Sequence, residues 1–410
     1  MRYERLTKLF YKVDRETLAK ELDHRKNGYG SYLSSLFIKG FRKGQTTADS
    51  FELFYVNTHE LMSLNNEVLL NSSKISSLIS KLPDFIVEPY FQKLIVNEAQ
   101  SNNEIEGVRS TKKELQEALR EVKNVEPKHK RFKGLMKTYL YIDQIDAFEK
   151  VQDFRSLYDE LVADEIKAED RPDGDLFRQG HVEVNDGQVT THIGVSTEKN
   201  IIASLGALIH YLKDDAHPPL YRYMVAHYYY EYIHPFYDGN GRTGRLLVGS
   251  YLSRYLEKYS AITFSYAINK NKAKYYRALE EIAFPLNQGD LTFYLIDMLE
   301  LLSTGQKSII EDLELSLIKL ERINEYMKKE KWSKAGDARQ ILSSMLTINV
   351  FIAENTVLSL KELMGYTGKS RHKVNQAVDY LVQEGYIEVV AKKPKSIQIC
   401  DGCIEKILSL

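Results

Sequence analysis

Cysteine is almost missing from this 410-residue chain: Cys400 and Cys403, in Cys400-Asp401-Gly402-Cys403, are the only two. That excludes a disulfide framework, and a structural zinc site would need two more ligands at suitable spacing, which do not follow. The pair reads as reduced thiols on a short terminal element. Proline is scarce as well, at nine residues, and apolar residues recur three and four apart through most of the chain, so a mainly α-helical protein is expected. No apolar run reaches the roughly eighteen residues of a membrane-spanning helix. Met1-Arg2-Tyr3-Glu4-Arg5 does not open a signal peptide, so a cytoplasmic protein with no membrane partner is expected. An excess of one charge is lacking too. The 56 basic and 57 acidic residues nearly cancel, which excludes a strongly basic nucleic-acid protein and an acidic tail. What remains, at 43% hydrophobic residues, is enough for two or three cored domains.

One stretch breaks the helical pattern. From Val182 to His192, short alternating segments flank Asn185-Asp186-Gly187, a strong hairpin signal.

The densest chemistry lies at His234-Pro235-Phe236-Tyr237-Asp238-Gly239-Asn240-Gly241-Arg242-Thr243-Gly244-Arg245. Apolar residues resume at Leu246 and Leu247, so this is a loop that opens a helix. Glycines let backbone N–H groups crowd around an anion, and the helix N-terminus adds partial positive charge. Arg242 and Arg245 are three apart, a spacing that puts both on one face within reach of a polyphosphate. Asp238 is a hard oxygen ligand of the kind Mg²⁺ prefers when it bridges phosphates. His234 stands just ahead, where a general base would meet a nucleophile.

This run resembles the signature of the Fic (Fic/DOC) family, His-Pro-Phe-x-Asp/Glu-Gly-Asn-Gly-Arg-x-x-Arg, at every specified position. The resemblance implies that the loop binds ATP and moves AMP onto a hydroxyl of a protein side chain. His234 would be the base, Asp238 would hold Mg²⁺, and the backbone of Gly239, Asn240 and Gly241 would form the anion hole. Arg242 and Arg245 would grip phosphates, and Phe236 would pack to fix the loop. The hairpin would be the flap that lays the target alongside as an added strand, making Thr190, Thr191 and His192 site residues. In Asn271-Lys272-Ala273-Lys274-Tyr275-Tyr276, the resemblance implies a tyrosine pair near the nucleobase. Being adjacent, Tyr275 and Tyr276 cannot share one helix face, so one packs and the other lines the pocket. Tyr228, Tyr229 and Tyr230 are assigned to packing.

Ser101-Asn102-Asn103-Glu104-Ile105-Glu106-Gly107 resembles the inhibitory helix of many Fic proteins, Ser/Thr-x-x-x-Glu-Gly/Asn. The resemblance implies that Glu106 pairs with Arg245, the second arginine of the signature, and blocks a productive γ-phosphate pose. Gly107 suits a helix end. The position four before Glu106 is Asn102 rather than serine, and asparagine also caps well. Glu104 is the rival acid. With Thr243 and Gly244 of the loop, the nucleotide-binding set is Glu106, Thr190, Thr191, His192, Asp238, Gly239, Asn240, Gly241, Arg242, Thr243, Gly244, Arg245, Tyr275 and Tyr276.

From about residue 337 the pattern changes. Ile341, Met345, Ile348 and Ile352 form one helical stripe. Ser359-Leu360-Lys361-Glu362 is a capping box, and Val374, Ala377, Val378, Leu381 and Val382 mark a third helix closed by Gly385. Tyr386–Val390 and Ser396–Ile399 follow as strands around Lys392-Lys393-Pro394-Lys395. Three helices and a basic hairpin resemble a winged helix, a module that either reads DNA or docks and dimerises proteins. For DNA, Lys369, Ser370, Arg371, His372, Lys373, Asn375 and Gln376 would enter the major groove, and Lys392, Lys393 and Lys395 would meet phosphates. Ile310, Leu313, Leu317, Leu320, Asn324 and Met327 mark the connecting helix, either a short coiled coil with Asn324 setting register or an ordinary packed linker.

The expected organisation is an N-terminal helical region with the inhibitory helix (1–112), a Fic-type helical core with a β-hairpin flap (113–305), a helical linker (306–336) and a winged helix (337–410). The expected function is a protein adenylyltransferase taking ATP with Mg²⁺ to a protein Ser, Thr or Tyr. A nucleotide-sensing transcription regulator, or a Fic enzyme that uses another donor or removes AMP, are the alternatives. A homodimer is left open.

Overall fold

A computed structural model describes residues 3–122, 131–162, 164–185, 187–353 and 356–408. The chain is mainly helical and divides into two compact units, Met1–Ser73 with Leu94–Lys307, and Lys74–Lys93 with Ser308–Leu410.

Two helices make the centre of the first unit. Pro219–Ile233 starts on Pro218-Pro219, where a missing N–H costs nothing, and twelve of its fifteen residues are buried. Helix Asn240–Tyr255 is buried from Asn240 through Ser253. Helices apolar or buried all round belong inside a domain rather than on its surface. Their close approach depends on Gly244: a Cβ there would stand 2.9 Å from Tyr230 Cδ1 and 2.3 Å from Glu231 Oε1. Tyr228, Tyr229 and Tyr230 are all buried in this centre.

Ahead of residue 337, one stretch alone is expected to leave the helical pattern, and the structure corrects this. Ser31–Arg42 and Gln45–Val56 form a long antiparallel hairpin, paired from Ser31↔Val56 to Arg42↔Gln45 with register shifts between Leu33 and Phe37 and between Lys39 and Phe41. Lys43 (φ 51°) and Gly44 (φ 75°) close it, both left-handed as a type I′ turn requires. Ser34, Leu36, Ile38 and Gly40 alternate inward, a two-residue period obscured by Ser34 and Gly40 on the buried face and by Phe37 on the exposed one. The expected hairpin is present as Glu183–Asn185 paired with Thr190–Ile193. Asp186 of its turn motif lies outside the described residues.

In the second unit, helix Asp337–Phe351 is followed by the short strand Leu358–Ser359 and helices Leu360–Thr367 and Arg371–Gln383. Strands Ile387–Lys392 and Lys395–Ile399 complete a three-stranded antiparallel sheet with Lys395–Ile399 in the middle. Ser359 and Glu362 make the capping box in both directions. Val374, Ala377, Val378 and Leu381 are buried, whereas Val382 of the expected stripe is exposed. Asn324 is exposed as well, with Ile323 buried in its place, so the linker helix packs through an ordinary apolar face. Cys400 and Cys403 are unpaired thiols. No helix among the described residues is long and apolar enough to cross a membrane.

Candidate active site

The loop from His234 to Gly239 joins the two central helices, and both of its ends are left-handed: His234 (φ 52°) closes Pro219–Ile233 and Gly239 (φ 83°) opens Asn240–Tyr255. Asn240 braces the turn. Its Oδ1 accepts from Phe236 N (2.9 Å) and its Nδ2 donates to Phe236 O (2.7 Å). The Phe236 ring is fully buried, stacked on Tyr158 at 3.6 Å. Thr243 is spent locally, its hydroxyl donating to Gly239 O. The first N–H groups of the new helix, at Asn240, Gly241 and Arg242, have no partner inside it.

Above this loop lies a cavity of about 550 Å³, lined by His234, Gly241, Arg245, Glu106, Glu231, Tyr275, Tyr276 and the flap residues Val184, Asn185, Thr191 and His192, among others. Burial pushes His234 down to about 3, with His192 and Arg178 adding to the effect. Its Nδ1 faces the Glu231 carbonyl at 3.4 Å. A carbonyl can only accept, so Nδ1 carries the proton and Nε2 is left as the basic nitrogen. His192 is fixed in the same way, with Nε2 donating to Tyr232 O at 2.8 Å.

Arg245 is almost wholly buried and held from two sides. Nη2 meets Glu106 Oε1 at 2.6 Å, and Nε donates to Asn102 Oδ1 at 2.7 Å. Burial opposes its charge, yet Glu106, Tyr275 and Glu231 together push its pKa upward. Glu106 reaches the helix start itself: a Cβ on Gly241 would stand 2.2 Å from Glu106 Oε1. Its carboxylate therefore lies where an anion would seek the helix N-terminus. Glu104 points elsewhere, accepting from Asn269 Nδ2 at 2.7 Å. Asn102 is no cap. It sits inside helix Asp84–Ile105, fully buried; it accepts from Arg245, and its Nδ2 donates to Tyr139 OH and Arg242 O.

Other expected site residues fall in different places. Three-residue spacing places Arg242 and Arg245 on one face, but Arg242 Nη1 turns to Glu165 Oε2 at 2.9 Å, both side chains nearly buried. Residues three apart are about 60° apart around a helix, enough for each guanidinium to find its own carboxylate. Thr190 does not line the cavity, since its hydroxyl bonds Glu183 and Asn185 within the hairpin. Gly244 serves helix packing. Tyr275 is buried with its hydroxyl 2.8 Å from His227 Nε2, whereas Tyr276 is partly exposed and donates to Ile105 O at 3.4 Å. Both line the cavity. Asp238 is exposed and accepts from Gly239 N with one oxygen, leaving the other without a protein partner among the described residues. A single accessible carboxylate oxygen fits Mg²⁺, which takes one or two carboxylates and completes its shell with phosphate and water.

The sequence reading missed two site residues. Glu231 lines the cavity, and burial raises it to about 8, against the pull of Arg245 and with the push of Glu106. Arg178 reaches the His234 backbone from outside the loop. Neither belongs to a local motif.

Among solved structures, the chain is similar to a Fic family protein from Desulfovibrio desulfuricans, with 18% identity and a TM-score of 0.53, covering 88% of this chain and 99% of that one. A Fic domain containing signaling protein from Bacteroides thetaiotaomicron (20% identity, TM-score 0.41, 62% and 96% covered) and Fic-1 from C. elegans (19%, 0.41, 63% and 72%) also match. Residues 144–252, which hold the flap, the loop and most of the helix that follows it, match the model of the Fic/DOC family.

Proposed function

We propose that this protein transfers AMP from ATP to a Ser, Thr or Tyr hydroxyl of another protein. The observation that carries the reading is the pairing of a neutral His234, its Nε2 basic, with a buried Arg245 and an open helix N-terminus around one cavity. In the reaction the target oxygen attacks the α-phosphorus and gives its proton to His234 Nε2. The new P–O bond forms as the bond to the β-phosphate breaks, and pyrophosphate leaves. Positioning and charge stabilisation suffice for such a displacement, with no covalent enzyme intermediate. Asp238 would hold Mg²⁺, which neutralises phosphate charge when bound. The flap would present the acceptor as an added strand.

The state described is, on this reading, self-inhibited. Glu106 holds the guanidinium that the γ-phosphate needs and lies over the N-terminus the phosphates would use. Residues 337–410 are proposed as a winged helix, supported by their helix–strand–helix–helix–strand–strand order from Asp337 to Ile399. Lys369 and Lys395 are paired with Asp337 and Asp379, while Arg371, Lys373, Lys392 and Lys393 are exposed, so a DNA-binding regulator with a nucleotide pocket is the second reading.

Labelled ATP and Mg²⁺ incubated with the Glu106→Gly protein and a lysate should mark protein bands that survive denaturation and vanish with a chelator. Random duplex DNA is titrated in parallel. Tight DNA binding without any AMP transfer would favour the regulator.

A further inference from the structure

Arg178 has no exposed surface, and every hydrogen bond from its guanidinium goes to a backbone carbonyl. Nε donates to His234 O (2.8 Å), Nη1 to Gly180 O (2.6 Å), and Nη2 to Val195 O (2.9 Å) and Ile233 O (3.4 Å). Its own N–H donates to Pro235 O at 3.2 Å. Gly180 precedes the first flap strand and Val195 follows the second. A single side chain thus holds both roots of the flap and the two carbonyls around the base. Gly194 leaves room for it: a Cβ there would stand 2.4 Å from Arg178 Nη2 and 3.0 Å from His234 Cβ.

A buried cation bonded only to neutral oxygens is an expensive way to tie loops together. Burial accordingly pushes Arg178 down to about 10, with Tyr237 and Asp173 only partly restoring it. The position of the charge gives it a use. We propose that Arg178 is a positioning residue for AMP transfer, fixing the left-handed backbone of His234 and the acceptor-presenting flap to one another through a single guanidinium. The proposal rests on the AMP-transfer reading above. It also explains why a charge is retained, since Arg178 disfavours protonation of the His234 ring. The other ionisable groups around that ring are His192 on the flap, Glu231 one turn back on its own helix, and Glu106, Arg245 and Glu280 across the cavity. The cavity phenols of Tyr228, Tyr232, Tyr275 and Tyr276 are all pushed upward by burial.

The test compares Arg178→Lys and Arg178→Met, each in the Glu106→Gly protein, by steady-state transfer kinetics and by NMR titration of the His234 ring. Arg178→Lys keeps the charge but not the fork. It should lower kcat about 10²-fold, as a misplacement of about 1 Å does, with KM for ATP unchanged and the His234 titration where it was. Arg178→Met loses the charge, and His234 should titrate at higher pH. Parental kcat in Arg178→Lys, or an unmoved His234 titration in Arg178→Met, overturns the proposal. Should Arg178→Met not fold, the kcat-against-KM split of Arg178→Lys decides. An inactive Glu106→Gly parent instead sinks the AMP-transfer reading, and the titration still judges Arg178.

Discussion

Asn102 and Arg245 are joined at two points, Arg245 Nε to Asn102 Oδ1 at 2.7 Å and Arg245 Nη2 to the Asn102 carbonyl at 3.3 Å. Both residues are buried. Helix Asp84–Ile105 therefore supplies Arg245 with a neutral amide, and the residue just past its end, Glu106, supplies the carboxylate.

Asn102→Ala should destabilise the fold by about 2 kcal/mol, because a buried charged donor is left without its acceptor. Urea unfolding measures this. A change below about 0.5 kcal/mol, typical of a surface site, would show that Arg245 does not depend on the amide.

Glu106→Gly should raise AMP transfer well above wild type, because breaking the pair frees Arg245 for the γ-phosphate. Glu104→Gly is the matched control and should change little, since that carboxylate is bonded to Asn269. A modification assay in which Glu104→Gly is the activated variant, or in which Glu106→Gly stays at the wild-type level, contradicts the assignment.

His234→Ala in the activated background should cost about 10²–10⁴ in rate while ATP affinity is kept, as expected of a general base. Calorimetry that finds affinity falling in step with rate would assign His234 to binding.

Stability should pass through a broad maximum between about pH 4.5 and 6.5. Carboxyls raised in the folded state, Glu98 and Glu257 to about 7 and Glu231 to about 8, contribute stability below 4.5 that is lost as pH rises through those values. Imidazoles depressed in the folded state, His192 to about 4 and His227 and His234 to about 3, contribute stability above 6.5 that is lost on acidification. Between those limits the trends oppose each other; outside them one is left alone. Urea midpoints from pH 4 to 9 test this, and Glu231→Gln should make the decline above pH 6.5 shallower. Midpoints that climb from 6.5 to 8 would contradict the burial of these carboxyls.

The loop was legible because its chemistry is local. Glycine spacing, a following apolar run and flanking charges sit within twelve consecutive residues. The same holds for the capping box at Ser359 and the turn near Gly187. Arg178 was not legible, because its partners are carbonyls, which every residue carries. Glu231 looked like one polar residue in a tyrosine-rich helix until the fold set it beside Arg245. The Arg242–Glu165 pair was not legible, because spacing gives a direction on a helix but cannot foresee a carboxylate on a separate segment. The Ser31–Val56 hairpin carried a signal in the alternation of Ser34, Leu36, Ile38 and Gly40 and in Lys43-Gly44.

The assignment of Lys74–Lys93 to the second unit has a consequence for synthesis. Its apolar residues Ile75, Leu78, Leu82, Ile86, Tyr90 and Phe91 are buried in the finished protein, with Phe85 against Tyr366 and Tyr90 against Phe351. All of Leu94–Lys307 must be made before the rest of that unit emerges. At about 5–20 residues per second, that leaves the segment without its partners on the nascent chain for roughly 10–40 s. During that interval it is a natural client for a holding chaperone, and a message truncated before codon 308 would yield a chain that never covers it.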